Sequence, residues 1–488
     1  MAKPLEELRK IRLKKLEKIK KLGINPYAAR CERKHSIAQG LKMMGKKVAV
    51  AGRIMSMRGH GGIEFLDLQD ESGKIQLVFK SEKIKSKNAK LLRLLDIGDF
   101  IDTQGKIFKT DAGETSVLVE DFHLLTKSIR PLPSKWHGLK DIEERYRQRY
   151  VDLMMNPQMR QIFEVRREVI DKLRDYLNKH GGFEVETPIL QPIYGGATAR
   201  PFITQHYVLK NNFFLRISDE LYLKRLIAGG FEFVYEFGKD FRNEGIDWQH
   251  NPEFTMLEFY WAWKDYHDLM KFTEEMLAKV IKNVTGKYKV KFRGKEIDFK
   301  PPWERMTFRE AVLENVGIDI DKVDTEAELK TEMKKRKMKI NLKGVVGYGA
   351  LLDVFYKQFV RPNIIGPVFL HDWPVEMVPL AKRREDNPRY AESFQPLVQG
   401  MELLLAYSEL NDPTDQRQRW EEEMKLARRG LEEHQVVDED YLRALEYGLP
   451  PLAGWGMGID RFVMLLTDAP SVKETILFPT LRPEKKKK

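Results

Sequence analysis

The sequence predicts an α+β protein in two main parts, a small five-stranded Greek-key barrel and a larger mixed domain of strands and helices. Three observations carry that expectation. Residues 48–127 consist of short β segments punctuated by glycine, the pattern of a small barrel. A stretch with two prolines, residues 128–140 (SIRPLPSKWHGLK), then interrupts it as a linker. Beyond it, residues 141–488 open with a long helical period at about 158–180 and continue into apolar strands.

Residues 1–47 read as a lysine-rich helical extension. Leu5, Leu8, Ile11, Leu16, Ile19 and Leu22 share one side of a helical wheel, and basic residues cover most of the rest. Such a helix either packs by its apolar stripe or also touches RNA, and the sequence leaves both open. In the barrel, Glu71-Ser72-Gly73 is a turn between two strands, and the lysine-rich stretch 80–93 supplies the barrel's helix. The long helix closes at Gly181-Gly182, a C-cap signal. Strands are expected at residues 183–190 (FEVETPIL) and 231–237 (FEFVYEF), and a polar helical insertion at about 264–345.

Composition narrows the function classes. With 42% hydrophobic and 32% charged residues, the chain is of the globular type rather than the disordered one. No apolar run reaches the ~20 residues of a membrane span, and the charged start MAKPLEELRK lacks a signal-peptide core. A single cysteine, Cys31, excludes an internal disulfide framework and a cysteine-built zinc site, which fits a cytoplasmic protein. The formal charge of +12 admits a polyanionic partner, and it is concentrated at the ends. Residues 1–47 hold 15 basic and 4 acidic side chains, and the tail LRPEKKKK is strongly basic. The expected contribution of these ends is salt-dependent, sequence-blind affinity for nucleic acid.

Two nucleotide-binding look-alikes fail. Residues 40–46 imitate a P-loop, but Lys47 stands where Ser or Thr should be, and a strand follows instead of a helix. Gly454, Gly456 and Gly458 imitate a dinucleotide fingerprint with no room for a following βαβ unit. The chemistry concentrates elsewhere, in Phe241-Arg242-Asn243-Glu244-Gly245 and His250-Asn251-Pro252-Glu253-Phe254. Arg242 and Glu244 are expected to alternate along a strand and face the same way. A guanidinium there can clamp a carboxylate or phosphate, a carboxylate can accept from an amino group, and Phe254 offers a stacking face.

That stretch resembles motif 2 of class II aminoacyl-tRNA synthetases. Residues 454–461 (GWGMGIDR) resemble motif 3, and residues 182–188 (GFEVETP) resemble motif 1, whose proline lies at a dimer interface. Residues 150–153 (YVDL), 195–202 (GGATARPF), 220–225 (ELYLKR) and 408–412 (SELND) narrow the resemblance to the lysyl-tRNA synthetases of class II. The resemblance covers about residues 48–483. It implies an OB-fold anticodon-binding barrel and a catalytic domain built on an antiparallel sheet flanked by helices, assembled as a homodimer. The implied partners are ATP, L-lysine and tRNA(Lys), with Mg²⁺ as cofactor and no membrane.

The resemblance also implies roles for particular residues. Arg242 and Arg461 would be catalytic, and Glu244, His250, Asn251, Phe254 and Glu402 would join them in holding ATP, with adenine between Phe254 and Arg461. Lysine would be bound by Gly196, Glu220, Arg242, Glu258, Tyr260, Tyr407, Glu409 and Gly456, with Glu409 receiving the ε-ammonium. A buried ammonium needs such a carboxylate, and selectivity over apolar amino acids would follow from it. In the barrel, Arg53, Phe65, Gln76 and Glu120 would read the anticodon. The competing reading of Phe65 is a core residue of the small barrel.

Two positions depart from the family pattern. Members commonly hold Mg²⁺ with two carboxylates seven residues apart; Glu402 is one, but the other position is Gln395. An asparagine that usually helps hold lysine is replaced by Leu405. The expectations are weaker metal binding and weaker hold on lysine. Aspartyl or asparaginyl specificity, a ligase acting on a protein acceptor, and a non-catalytic tRNA-binding paralogue are the competing readings. Glu220 and Glu409 oppose an acidic substrate.

Overall fold

A computed structural model describes residues 4–60, 62–80, 82, 86–133, 141–342, 344–429 and 435–484. The end of the expected linker (134–140) and the terminal lysine run (485–488) lie outside them, as do parts of the lysine-rich stretch at 81 and 83–85. The chain folds as two compact units, Met1–Lys140 and Asp141–Lys488.

In the first unit, helix α1 (Leu5–Lys21) packs on a closed barrel. The barrel strands are β1 (Lys47–His60), β2 (Ile63–Asp70), β3 (Gly73–Lys80), β4 (Phe100–Lys109) and β5 (Thr115–Thr126), in the order β1-β2-β3-β5-β4. The helix is held by its apolar stripe, since Leu16 and Ile19 are buried and Ile19 joins the barrel's core. Arg12 fixes it further by donating to the carbonyls of Ile97, Ser128 and Arg130. Within this unit the helix is therefore a packed element: Arg12 is buried and Lys15 pairs with Asp96, while Lys10, Lys14, Lys18, Lys20 and Lys21 are exposed. Asp70 organises the β2–β3 turn by accepting from the backbone N–H groups of Ser72 and Gly73. A short helix, α2 (Ser86–Leu92), lies in the lysine-rich stretch.

The second unit is built on a nine-stranded sheet. Its long strands are β7 (Phe233–Phe241), β8 (Glu253–Ala262), β11 (Tyr390–Val398) and two further central ones, β12 (Leu404–Ser408) and β13 (Leu452–Gly458). The edges are β6 (Phe183–Glu184) and β9 (Glu304–Thr307), and β10 (Val368–Pro374) lies next to β9. The order is β9-β10-β11-β12-β13-β8-β7-β6, and the two-residue strand Met401–Glu402 pairs with β11. Only the edge pairs β6–β7 and β9–β10 are parallel; the centre is antiparallel. One face carries α3 (Gln158–Lys179), α5 (Tyr266–Thr285) and α6 (Ile459–Leu466) over one core; α4 (Glu220–Ala228) packs into a second core on the other face.

Two expectations need correcting. Residues 183–190 do not form one strand: Phe183–Glu184 and Leu190–Gln191 are short separate strands. Pro188 has no N–H to give to a ladder, and Thr187 instead donates both its N–H and its hydroxyl to Glu236. Residues 264–345 are not a polar appendage. Leu269, Met276, Leu277 and Ile281 recur at helical spacing along α5 and are fully buried, while β9 extends the main sheet.

Candidate active site

The site grows out of strand alternation. On β8, Leu257 and Phe259 point into the first core, so Glu258 and Tyr260 project from the opposite face. Glu258 lies opposite Gly456 and Tyr260 opposite Gly454; across the next ladder, Leu405 faces Gly456 and Tyr407 faces Gly454. Glycines at the two middle positions leave a trough between two rows of side chains. At Gly454 a Cβ would come 2.0 Å from Glu409 Oε1 and 2.5 Å from Tyr260 Cε1, so no other residue fits. A cavity of about 520 Å³ opens over this trough, with Glu220, Arg242, Phe254, Glu258, Glu402 and Arg461 among its walls.

The floor is charged and buried. Glu220 and Lys224 lie one turn apart on α4, and the fully buried Lys224 Nζ sits 2.5 Å from Glu220 Oε1 while also contacting Glu409. The rings of Tyr260 and Tyr407 lie within 5.8 Å of that ammonium. Tyr407 donates to Glu220 Oε1 at 2.8 Å, and Tyr260 to Glu258 Oε2 at 3.1 Å. Burial alone would lower the Lys224 pKa, but Glu220 and Glu409 outweigh it and hold the ammonium charged. Glu258 is pushed up to about 8, by burial first and then by the charges of Asp240 and Glu220. Burial likewise raises Glu409. Glu409 is 1% exposed, and among the described residues nothing donates a hydrogen bond to its Oε1. The left-handed Gly196 (φ +83) closes the near end, where a Cβ would lie 3.0 Å from Ser218 Oγ.

The other end suits a polyanion. Arg242 and Glu244 both line the cavity, but they do not alternate along a strand. β7 ends at Phe241, and the chain turns so that Glu244 N–H donates to the Arg242 carbonyl. Arg242 lies over the Phe254 ring at 5.1 Å and donates from Nε to the Ile217 carbonyl at 3.3 Å. Arg461, at the start of α6, donates to His250 Nε2 at 2.9 Å. That fixes the neutral tautomer of His250 whose Nδ1–H donates to Asp247 at 2.8 Å. Asn251 touches the cavity, yet its amide is occupied: Nδ2 donates to the Glu253 carbonyl and Oδ1 accepts from Thr480 N–H.

Glu402 faces the cavity beside Lys357, Arg361 and Arg461, whereas Gln395 is not among the lining residues. Gln395 is 8% exposed, in mid-strand opposite Leu370, while Glu402 lies beyond the turn on the short strand. The expected metal pair therefore reduces to one wall carboxylate.

The barrel has its own patch. Leu66 and Leu68 point inward on β2, so Phe65 and Asp67 point outward; Phe65 is half-buried and lies outside the barrel core. Gln76 faces Asp67 across the β2–β3 ladder, accepts from Ser116 Oγ at 2.9 Å and donates to Glu114 at 3.3 Å. Arg53 lies opposite Gln69, with its guanidinium 4.2 Å above the Phe100 ring. Glu120 is turned away to an exposed ion pair with Lys47 at 2.7 Å. The carboxylate beside Gln76 is Glu114.

Comparison with known proteins assigns the chain. The description "tRNA synthetases class II (D, K and N)" matches residues 141–482, and "OB-fold nucleic acid binding domain" matches residues 48–125. The chain belongs to the class II tRNA synthetases. It is 46% identical over 484 residues to the lysine–tRNA ligase of Syntrophomonas wolfei, covering 98% of both chains. The lysine–tRNA ligases of Carboxydothermus hydrogenoformans and Moorella thermoacetica are also 46% identical, each over 98% of this chain and 99% and 98% of their own.

In this synthetase three residues in contact with the expected site residues escape a reading of the sequence. Lys224 had a signal, its i,i+4 spacing from Glu220, but only the fold brings Glu409 to it from 185 residues away. Asp247 stands three residues before His250, a spacing common to loops of any kind. Glu114 reaches Gln76 only because β3 and β5 run side by side.

Proposed function

We propose that this synthetase activates L-lysine with ATP to lysyl-adenylate and transfers lysine to the 3′ end of tRNA(Lys). The observation that carries this reading is Glu409, a buried carboxylate beneath Gly454 and behind the cavity's lining residues, with an oxygen that no group among the described residues satisfies. A buried charge of that kind demands a cationic partner, and lysine's ε-ammonium, assisted by Tyr260, is one. Glu220, Glu258 and the backbone at Gly196 take the α-ammonium, while Tyr407, Leu405 and Gly456 shape the channel for the methylenes. Leu405 offers that channel no polar group. Arg242 holds the lysine carboxylate against the α-phosphate.

ATP lies across Arg242, Glu244, His250, Phe254 and Arg461, with adenine on the Phe254 ring. Asn251 supports this loop by tying it to the C-terminal segment. Glu402 is the residue suited to Mg²⁺ on the phosphates, since that ion is commonly bound through one or two carboxylates plus phosphate oxygens; when bound it neutralises phosphate charge. In the first step a lysine carboxylate oxygen attacks the α-phosphorus in line, the bond to the β-phosphate oxygen breaks, and pyrophosphate leaves. In the second, the terminal 3′-hydroxyl of tRNA attacks the activated carbonyl, loses its proton and displaces AMP. Positioning and charge neutralisation supply the catalysis. Lysine-dependent charging of tRNA(Lys) by the purified protein tests the whole reading; an unacylated product would refute it.

The outward Phe65, Gln76 and Glu114 support an anticodon platform, in which a base stacks on Phe65 and bonds to Gln76. Arg53 adds charge at the far end of the same face. Phe65→Ala should raise KM for tRNA roughly tenfold, stacking on an aromatic ring being worth ~1–3 kcal/mol per base, with lysine activation unchanged. Equal charging kinetics in the variant would reject the platform.

A homodimer is supported by exposed apolar side chains in one stretch of the second unit. Ile203, Tyr207 and Val208 are 64%, 94% and 76% exposed. The double variant Ile203→Glu, Val208→Glu is expected to sediment as a monomer where the parent sediments as a dimer. Among the described residues no helix is long and apolar enough to cross a membrane.

A further inference from the structure

Behind Glu258 lie two carboxylates, Asp219 and Asp240, that the reaction above does not use. Asp219, Asp240 and Glu258 are 0%, 0% and 5% exposed, and one oxygen of each lies within 4.8 Å of the others. Glu258 has donors in Ser218, at 3.1 Å, and Tyr260. Asp240 faces Arg216 Nε at 3.3 Å. Asp219 has no hydrogen bond to either oxygen among the described residues. It precedes α4, where an aspartate ordinarily accepts from the first helical N–H groups, yet its side chain makes no such bond. An ionised carboxylate in that position would be buried, uncapped and pressed against two others.

Arg216 relieves it only in part. Its Nη1 is committed to Glu236 at 2.7 Å and to Thr187, and its Nε to the Lys239 carbonyl at 2.9 Å; its charge lowers the Asp219 carboxyl without overcoming burial. The same positive charge disfavours a second cation among the three carboxylates. Carboxyl groups this close share protons rather than ionise together. We propose that Asp219 is a positioning residue that works as a neutral carboxylic acid, its hydroxyl donating to Glu258 and aiming that carboxylate into the lysine pocket. This rests on the lysine reading above and adds to it how the α-ammonium subsite is set.

The electrostatics agree. Burial, then the charges of Glu258, Asp240 and Glu236, raise the Asp219 carboxyl well above its ordinary range despite Arg216. With the Asp219 carboxyl protonated, its hydrogen bond to Glu258 acts the other way and favours the ionised form of Glu258. The remaining charged groups facing the pair are Glu220 and Lys224 on α4, with Arg242 past β7 and Glu409 past β12. Ionised Glu258 is the form that accepts an ammonium, so KM for lysine rises as pH falls through the Glu258 value near 8.

The test is lysine-dependent ATP–pyrophosphate exchange between about pH 6 and about pH 9 in the unsubstituted protein, Asp219→Asn and Asp219→Leu. An amide keeps the donor and carries no charge, so Asp219→Asn should hold KM for lysine within about threefold and keep the pH profile. Asp219→Leu removes the donor; KM should rise about tenfold and the profile move to higher pH, with kcat at saturating lysine much less affected. The proposal is overturned if Asp219→Asn matches Asp219→Leu, or if it moves the profile to lower pH, as loss of an ionised neighbour would. A divalent ion retained stoichiometrically through dialysis against chelator would also overturn it. Should Asp219→Leu fail to fold, the Asp219→Asn profile decides alone. Absence of lysine-dependent exchange in the unsubstituted protein would refute the lysine reading instead.

Discussion

Replacing Glu409 by Gln is expected to lower kcat/KM for lysine about a thousandfold. The substitution nearly preserves shape, so the neighbouring Gly454 and Tyr260 keep their places, and what is lost is the charge facing the ε-ammonium. Breaking a buried ion pair by removing one partner costs ~3–5 kcal/mol, and about 4 kcal/mol is a factor of a thousand. Most of the loss should appear in KM, because the ε-ammonium is remote from the reacting carboxylate and is held in ground state and transition state alike. Lysine titrations of pyrophosphate exchange would show it. A change below tenfold would mean that Glu409 is satisfied by Lys224 alone.

Lys224→Met should destabilise the second unit by ~3–5 kcal/mol at pH 8, since it strands two buried carboxylates that now share one ammonium. The pH dependence has a definite sign. Burial already holds Glu409 above its ordinary range, and loss of the ammonium raises it further. A carboxyl whose folded-state pKa lies above its unfolded value adds stability below the unfolded value and loses that contribution as pH rises through the folded one. The variant's deficit should therefore be smaller near pH 5 than near pH 8. Urea unfolding at the two pH values measures it; a deficit below about 1 kcal/mol at pH 8 would contradict the role given to Lys224. The substitution also tests why the pocket tolerates so many acids: with Lys224 in place, Glu220 and Glu409 share one ammonium before the substrate arrives.

Much of this site was legible before the fold. Arg242, Glu244 and Phe254 come from one stretch, and they share one cavity with Glu402 and Arg461 from two distant ones. The barrel was legible from short β segments punctuated by glycine, and its five strands close as expected. What could not be read depended on tertiary pairing. The Glu409–Lys224 contact joins β12's end to α4, and the approach of Asp219 to Glu258 crosses from a helix cap to a strand. Gln395 and Glu402 are seven residues apart in both sequence and expectation, but a turn intervenes and only Glu402 reaches the cavity wall. The misjudged stretch at 264–345 shows the opposite error: charge on the exposed side of α5 obscured the apolar spacing that buries the other side.

The most direct test is ATP–pyrophosphate exchange by the full chain, with Mg²⁺ present, against each of the twenty amino acids. Exchange stimulated by lysine, and not by aspartate, asparagine or the apolar amino acids, is the predicted result. Stimulation by another amino acid in place of lysine, or by none, would contradict the assignment of Glu409 as the acceptor of a substrate ammonium.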